Sequence, residues 1–123
     1  MAQRSWVSVV DDDESMRESL PDLLGELGFA SRAFASAGEF LESDALEQTR
    51  CLILDVAMPG MSGPELQREL LRQGRNIPII FITAQGDDKV RSAVLEDGAV
   101  AYLLKPFTEA ELRAALTAAL GTN

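Results

Sequence analysis

Short apolar runs alternate with longer segments of helical periodicity along the chain. The runs, which are candidates for strands, are residues 6–10, 30–34, 51–54, 77–82 and 100–104. Several are continuously apolar, which is typical of strands covered on both faces in a parallel sheet. Because helical patterns separate the runs, the sequence predicts five β-α units. Right-handed crossovers between these units give a doubly wound α/β sheet.

Helix boundaries are marked by local signals. Three predicted helices open with a capping box, in which Ser or Thr precedes Glu by three positions: Ser36 and Glu39, Ser62 and Glu65, and Thr108 and Glu111. Gly28 and Gly98 stand where the first and fourth predicted helices should end. Pro21 lies inside the first helical pattern. We expect it to kink that helix rather than end it, because the apolar spacing continues beyond it.

Length and composition narrow the classes of protein. The 123 residues suit a single domain, 1–123. The net charge of -9 and the lack of a Lys/Arg cluster argue against direct nucleic-acid binding. Cys51 is the single cysteine, so an internal disulfide is excluded, and no apolar stretch approaches membrane-spanning length. A cytoplasmic location fits this composition best.

Polar residues follow four of the five runs. Asp11 and Asp12 follow the first run, Asp55 the third, Thr83 the fourth and Lys105 the fifth. The carboxyl ends of the strands in a doubly wound sheet are where ligands bind. One such residue is usually a turn residue or a helix cap, but four strand ends with complementary chemistry predict a site.

The predicted site combines acids with one lysine. If the first and third strands are neighbours, Asp11, Asp12 and Asp55 converge, and their mutual repulsion calls for a cation. Oxygen ligands of this kind suit Mg²⁺, whereas a chain without histidine is a poor candidate for zinc. A carboxylate can attack phosphorus to give an aspartyl phosphate, and Lys105 and Thr83 could hold the phosphoryl oxygens. The sequence therefore predicts magnesium-dependent phosphoryl transfer to Asp55.

In this order and context the motifs resemble the receiver domain of two-component response regulators, over essentially the whole chain. The matching pieces are Asp11-Asp12-Asp13-Glu14, Leu54-Asp55-x-x-Met58-Pro59-x-Met61-x-Gly63, Ile82-Thr83-Ala84, Asp97-Gly98-Ala99 and Lys105-Pro106-Phe107. The resemblance implies a flavodoxin-like (βα)5 fold with strand order 2-1-3-4-5 and helices on both faces. The family often has a cis bond before the matching proline, whereas only about 5–6% of X–Pro bonds in folded proteins are cis, so the isomer of Lys105–Pro106 stays open.

The resemblance also implies roles for individual residues. Asp55 matches the phospho-accepting aspartate, while Thr83 and Lys105 match the hydroxyl and the lysine that contact the phosphoryl group. Tyr102 matches the switch aromatic of the fifth strand, although an aromatic there is commonly just half-buried core.

A metal site follows from the same resemblance. Asp12 matches the carboxylate that binds Mg²⁺ directly, and Asp11 its neighbour, which usually acts through metal-bound water. Asp55 and the backbone carbonyl of Ala57 match the remaining protein ligands.

The implied mechanism is that of a signalling switch rather than of a metabolic enzyme. A partner histidine kinase or phosphotransfer protein donates the phosphoryl group from its own phosphohistidine, and the domain catalyses its own phosphorylation and dephosphorylation. Thr83 then moves toward the phosphoryl group and Tyr102 turns inward. The surface of the fourth predicted helix, the fifth strand and the fifth predicted helix changes for its partners. A C-terminal output domain and a phosphorylation-dependent homodimer are further expectations.

Three alternatives compete with this interpretation. A phosphatase with an aspartate nucleophile needs a second acid two residues on, where Ala57 stands. A flavin-binding module needs a Ser/Thr/Gly loop after the first strand, but that loop is acidic. The strongest rival is a non-phosphorylated pseudo-receiver that acts as a protein-protein adaptor. The intact set of Asp11, Asp12, Asp55, Thr83 and Lys105 argues against it.

Overall fold

Five parallel strands form the centre of the molecule in the computed structural model, which describes residues 6–121. The strands are β1 Trp6–Val10, β2 Ala30–Phe34, β3 Cys51–Asp55, β4 Ile79–Thr83 and β5 Ala101–Leu104. Their order is β2-β1-β3-β4-β5. The predicted doubly wound, flavodoxin-like sheet and its strand order are therefore confirmed.

Six helices connect and cover the strands in this part of the chain. They are α1 Glu14–Glu26, α2 Ala37–Glu42, α3 Ala45–Gln48, α4 Gly63–Arg72, α5 Asp88–Glu96 and α6 Glu109–Leu120. Helices α1 and α6 pack on one face of the sheet and α2 to α5 on the other. Within residues 6–121, no helix has the length and apolar character needed to cross a bilayer.

The core explains why the strands are continuously apolar. All five residues of β3 and all five of β4 are buried, because helices cover both faces of the central strands. Alternate residues feed the two core layers: Ile53 and Ile82 pack with α1 and α6, while Leu54 and Phe81 pack with α2 to α5. Because helices cover both faces of the sheet, the carboxyl-terminal residues of β1, β3 and β4 are buried and held in place.

The connection between β2 and β3 differs from the prediction of one helix. Ser43 has extended backbone, and both its N–H and its hydroxyl donate to the carbonyl of Phe40. The helix therefore ends at Glu42, and the short helix α3 follows. Strand β4 begins after Pro78, two residues later than predicted, since proline has no N–H for the ladder.

The other boundary signals hold in most cases. Ser62 and Thr108 make complete capping boxes. The box predicted at Ser36 is incomplete, because the Glu39 side chain accepts from the N–H of Ala35 rather than from that of Ser36. Gly28 and Gly98 follow α1 and α5 with φ of 96° and 102°, a backbone that favours glycine. Helix α1 runs through Pro21 to Glu26.

Candidate functional site

Three carboxylates meet at the carboxyl edge of the sheet. Asp11 directly follows β1 and Asp55 ends β3, and these strands are hydrogen-bonded neighbours in the sheet. Each of Asp11, Asp12 and Asp55 offers an oxygen, and these oxygens lie within 4.8 Å of one another. Asp11 and Asp55 are buried, while Asp12 is exposed to solvent. The cluster is thus anchored by two buried acids and open on the side of Asp12.

Asp11 is held by several hydrogen bonds. One carboxylate oxygen accepts from the Nζ of Lys105 at 2.9 Å, and the other accepts from the backbone N–H of Asp13 at 2.9 Å. Its own N–H donates to the carbonyl of Phe34, which ties the loop to β2. A carboxylate with no exposed surface needs such partners, because burial of an unpaired polar group is costly.

Lys105 lies between the two buried acids. Its Nζ is 2.9 Å from Asp11 and 3.5 Å from an Oδ of Asp55. Burial alone would lower the pKa of Lys105, but the hydrogen bond and charge of Asp11, with the charges of Asp55 and Asp13, raise it overall. The lysine therefore remains charged at the site. Its backbone is also held in place, because the N–H of Lys105 donates to the carbonyl of Thr83 at 2.7 Å. The Lys105–Pro106 bond is cis.

Asp55 is the acid whose ionisation the surrounding negative charge disfavours. Burial and the charge of Asp11 raise its pKa to about 7; Lys105 partly offsets this, and the hydrogen bond and charge of Asp12 add to the rise. One lysine does not neutralise three carboxylates: together they carry a net charge of -2 when all are ionised. A divalent cation would supply the charge that the protein lacks.

The donor set fits magnesium. Every candidate ligand is an oxygen, and Mg²⁺ prefers one or two carboxylates with waters and phosphate oxygens completing its shell. Ala57 lies two residues beyond Asp55 in the exposed part of the loop after β3. Within residues 6–121, no hydrogen bond to its carbonyl is found, so that oxygen remains available to a cation.

Thr83 ends β4, beside β3 and β5, and is buried. Its hydroxyl bonds to Gln85 rather than to the acids: it donates to the Gln85 carbonyl at 3.0 Å and accepts from the Gln85 N–H. Tyr102 is half-buried on β5, and its hydroxyl accepts from the N–H of Asp87 at 3.2 Å. Both residues therefore bind the loop between β4 and α5.

Comparison with known proteins identifies the family. The family model described as the response regulator receiver domain matches residues 7–117. The chain belongs to this family. Recognition from the motifs at the strand ends is thereby confirmed, and the acidic cluster lies where those motifs place it.

Individual relatives support the same conclusion. Nodulation protein W of Bradyrhizobium diazoefficiens is 48% identical over 116 residues, which cover 94% of this chain and 51% of the relative. The solved structure of the response regulator StyR has a TM-score of 0.88 at 46% identity and covers 96% of this chain and 60% of that one. FixJ-N has a TM-score of 0.86 at 36% identity, covering 99% and 98%. The receiver domain spans about half the length of the curated relatives it matches.

Two residues that contact the site were not among its predicted members. Arg17 of α1 donates from Nη1 to the backbone carbonyl of Asp11 at 3.0 Å. Gly63 opens α4 so close to Asp55 that a β-carbon there would overlap the Asp55 backbone carbonyl. The signal for Gly63 was its place in the receiver motif. For Arg17 the sequence offered only a basic residue near the start of a helix, where acids are usually favoured.

The raised pKa of Asp55 predicts how the stability of the metal-free receiver domain depends on pH. The pKa is 3.8 for an ordinary aspartate and about 7 in the fold, so the folded state retains a proton between these values. The retained proton stabilises the folded state. This stabilisation is complete below pH 3.8 and is lost as the pH rises through about 7. Asp55→Asn removes this loss, so the variant should exceed wild type by about 2 kcal/mol near pH 8 and by much less near pH 5.

Urea unfolding of both proteins in EDTA at these two pH values measures the difference. The comparison of the two proteins at each pH cancels the titration of the carboxylates that lie outside the acidic cluster. A gap between Asp55→Asn and wild type that is the same at both pH values would contradict the raised pKa.

Proposed function

We propose that this receiver domain takes up a phosphoryl group on Asp55 from the phosphohistidine of a partner histidine kinase or phosphotransfer protein. The observation that carries the proposal is the placement of the buried Asp55 carboxylate against two further acids and one lysine at the carboxyl edge of the sheet. Mg²⁺ would be held there by Asp11, Asp12, Asp55 and the carbonyl of Ala57. It would supply positive charge to the transferring group.

The transfer needs little covalent chemistry from the protein. An Oδ of Asp55 attacks phosphorus, a P–O bond forms and the P–N bond to the donor imidazole breaks, and the imidazole nitrogen keeps the electron pair. Catalysis then consists of positioning and charge stabilisation. Lys105, already 3.5 Å from Asp55, can turn from the carboxylates to a phosphoryl oxygen. The Thr83 hydroxyl binds a second one.

The switch follows from the hydrogen bonds that Thr83 and Tyr102 make at present. For Thr83 to reach the phosphoryl group, its hydroxyl must give up its donation to the Gln85 carbonyl. The loop that leads to Asp87, whose N–H is bound by Tyr102, is then released. Phosphorylation thereby shifts a two-state equilibrium of the α5–β5–α6 surface, and Tyr102 turns inward in the phosphorylated state.

The α5–β5–α6 surface would be read by a further domain or by another protein molecule. We propose that residues 1–123 form a single receiver domain of a longer regulator with a C-terminal output domain. This agrees with the chain spanning about half of relatives such as Nodulation protein W. A homodimer that forms on phosphorylation is a second use of the same surface. The signal would be read by these partners and not by nucleic acid in contact with this acidic segment.

The proposal is tested with acetyl phosphate as a small phosphodonor. In the presence of Mg²⁺, intact-mass spectra of the wild-type chain should show one added phosphoryl group, and EDTA should prevent the addition. Labelling that EDTA leaves unchanged would refute the metal site. A chain that stays unlabelled under both conditions would instead fit the non-phosphorylated adaptor.

A further inference from the structure

Arg17 makes an unusual contact for an arginine of this protein. Four other arginines, at positions 32, 72, 75 and 113, pair with exposed or partly exposed carboxylates. Arg17 makes no salt bridge with any described residue, although acids surround it in sequence. Its Nη1 instead donates to the backbone carbonyl of Asp11 at 3.0 Å, in a partly buried position. The guanidinium is therefore committed to the main chain of the acidic loop.

The bonded carbonyl belongs to the peptide unit that joins the two acids of this loop. The C=O of Asp11 and the N–H of Asp12 lie in one rigid plane. The side chain of Asp11 is already fixed by Lys105 and by the N–H of Asp13. The bond from Arg17 fixes the plane of the Asp11–Asp12 peptide, and this plane sets the position of the Asp12 backbone nitrogen. Because Asp12 is the exposed member of the acidic cluster, with few neighbours to hold it, this plane helps to set the direction of its side chain.

Helix geometry explains how Arg17 reaches back. Asp13 caps α1, and Arg17 is the fourth residue of that helix, with its N–H bonded to the Asp13 carbonyl. Side chains on a helix lean toward its N-terminus, which directs the guanidinium at the preceding loop. A cation in the first turn is electrostatically unfavourable because of the helix dipole. The bond to Asp11 gives this position a compensating role.

We propose that Arg17 is a positioning residue for the divalent cation: it orients the Asp11–Asp12 peptide so that both carboxylates face the site. The inference rests on the proposed function, since it assumes that the acids hold Mg²⁺. It makes an unexpected prediction about sign. By charge alone, removal of a cation near three acids should strengthen Mg²⁺ binding. Loss of positioning should weaken it.

Calorimetric titration of the metal-free 123-residue chain with MgCl₂ separates the two effects. The test variant is Arg17→Met, which keeps much of the apolar stem and removes the donor. Arg113→Met is the matched control, because it loses the same charge on α6 and lies near Leu27 and Phe29, at the far end of α1. We expect Arg17→Met to bind Mg²⁺ about tenfold more weakly, as is usual when groups that orient ligands are lost, and Arg113→Met to stay near wild type.

A conservative variant guards against misfolding. Arg17→Lys keeps the charge and an N–H donor group on a shorter side chain, and should fall between wild type and Arg17→Met in Mg²⁺ affinity. It carries the test if Arg17→Met does not fold. The backbone amide signal of Asp12 in the metal-free protein should shift in both Arg17 variants and not in the control.

The outcomes distinguish this inference from the proposed function. If wild type binds Mg²⁺ and Arg17→Met binds it equally or more tightly, Arg17 does not position the acids, and the phosphoryl-acceptor proposal is untouched. If wild type itself fails to bind Mg²⁺ at millimolar concentration, the proposed function fails and this inference fails with it.

Discussion

Asp55→Asn should leave the receiver domain unable to take up a phosphoryl group from acetyl phosphate and Mg²⁺, whereas the wild-type chain gains one. The amide of asparagine is a poor nucleophile, and it offers one acceptor oxygen where the carboxylate offers two. The loss should be complete within the sensitivity of intact-mass spectra. Asp11, the other buried acid of the cluster, already accepts hydrogen bonds from the Nζ of Lys105 and from the N–H of Asp13.

The matched control for this prediction is Asp88→Asn. Asp88 is exposed in the first turn of α5, so the control makes the same chemical change away from the site. The fold of Asp55→Asn should be intact, because removal of a buried charge beside Asp11 relieves repulsion. Equal labelling of wild type and Asp55→Asn would show that the phosphoryl group goes elsewhere, and the assignment of Asp55 would then be wrong.

Much of the architecture was predictable because burial on both faces leaves a direct trace in the sequence. Residues 51–54 and 79–82 are continuously apolar, and each run is a central strand covered by two helix layers. The break after Glu42 was not predictable, since it depends on Ser43 adopting extended backbone and bonding to Phe40. A local hydrogen bond of this kind competes with helix formation without altering the apolar pattern.

The site divides in the same way. Strand topology alone brings Asp11 and Asp55 to one edge, so their proximity follows from the order of the strands. The contact of Arg17 depends on one side-chain rotamer, and that of Gly63 on the distance between α4 and the end of β3. Neither has a periodicity that sequence analysis can detect. The hydrogen bond from the Thr83 hydroxyl to the Gln85 carbonyl is likewise a local contact that leaves no mark in the apolar pattern.

Lys105→Met should strongly destabilise the receiver domain when metal is absent. The lysine is the one cation in contact with the buried carboxylates of Asp11 and Asp55 among the described residues. Removal of one partner of a buried ion pair costs about 3–5 kcal/mol, because the other charge is left without compensation. Protonation of Asp55 relieves part of this cost, so the lower end is expected, with a melting temperature roughly 10 °C below wild type.

The chain offers a matched control, since its only other lysine is the exposed Lys89 of α5. Thermal unfolding in EDTA should place Lys89→Met near wild type and Lys105→Met far below it. Mg²⁺ should restore part of the stability of Lys105→Met, because a divalent cation replaces the missing charge between the same acids. Phosphoryl uptake should remain impaired, however, since Mg²⁺ does not replace the contact of the ammonium with the transferring group.

If both lysine variants melt together in EDTA, Lys105 does not neutralise the cluster. If Mg²⁺ stabilises Lys89→Met but not Lys105→Met, the lysine is needed to assemble the metal site itself.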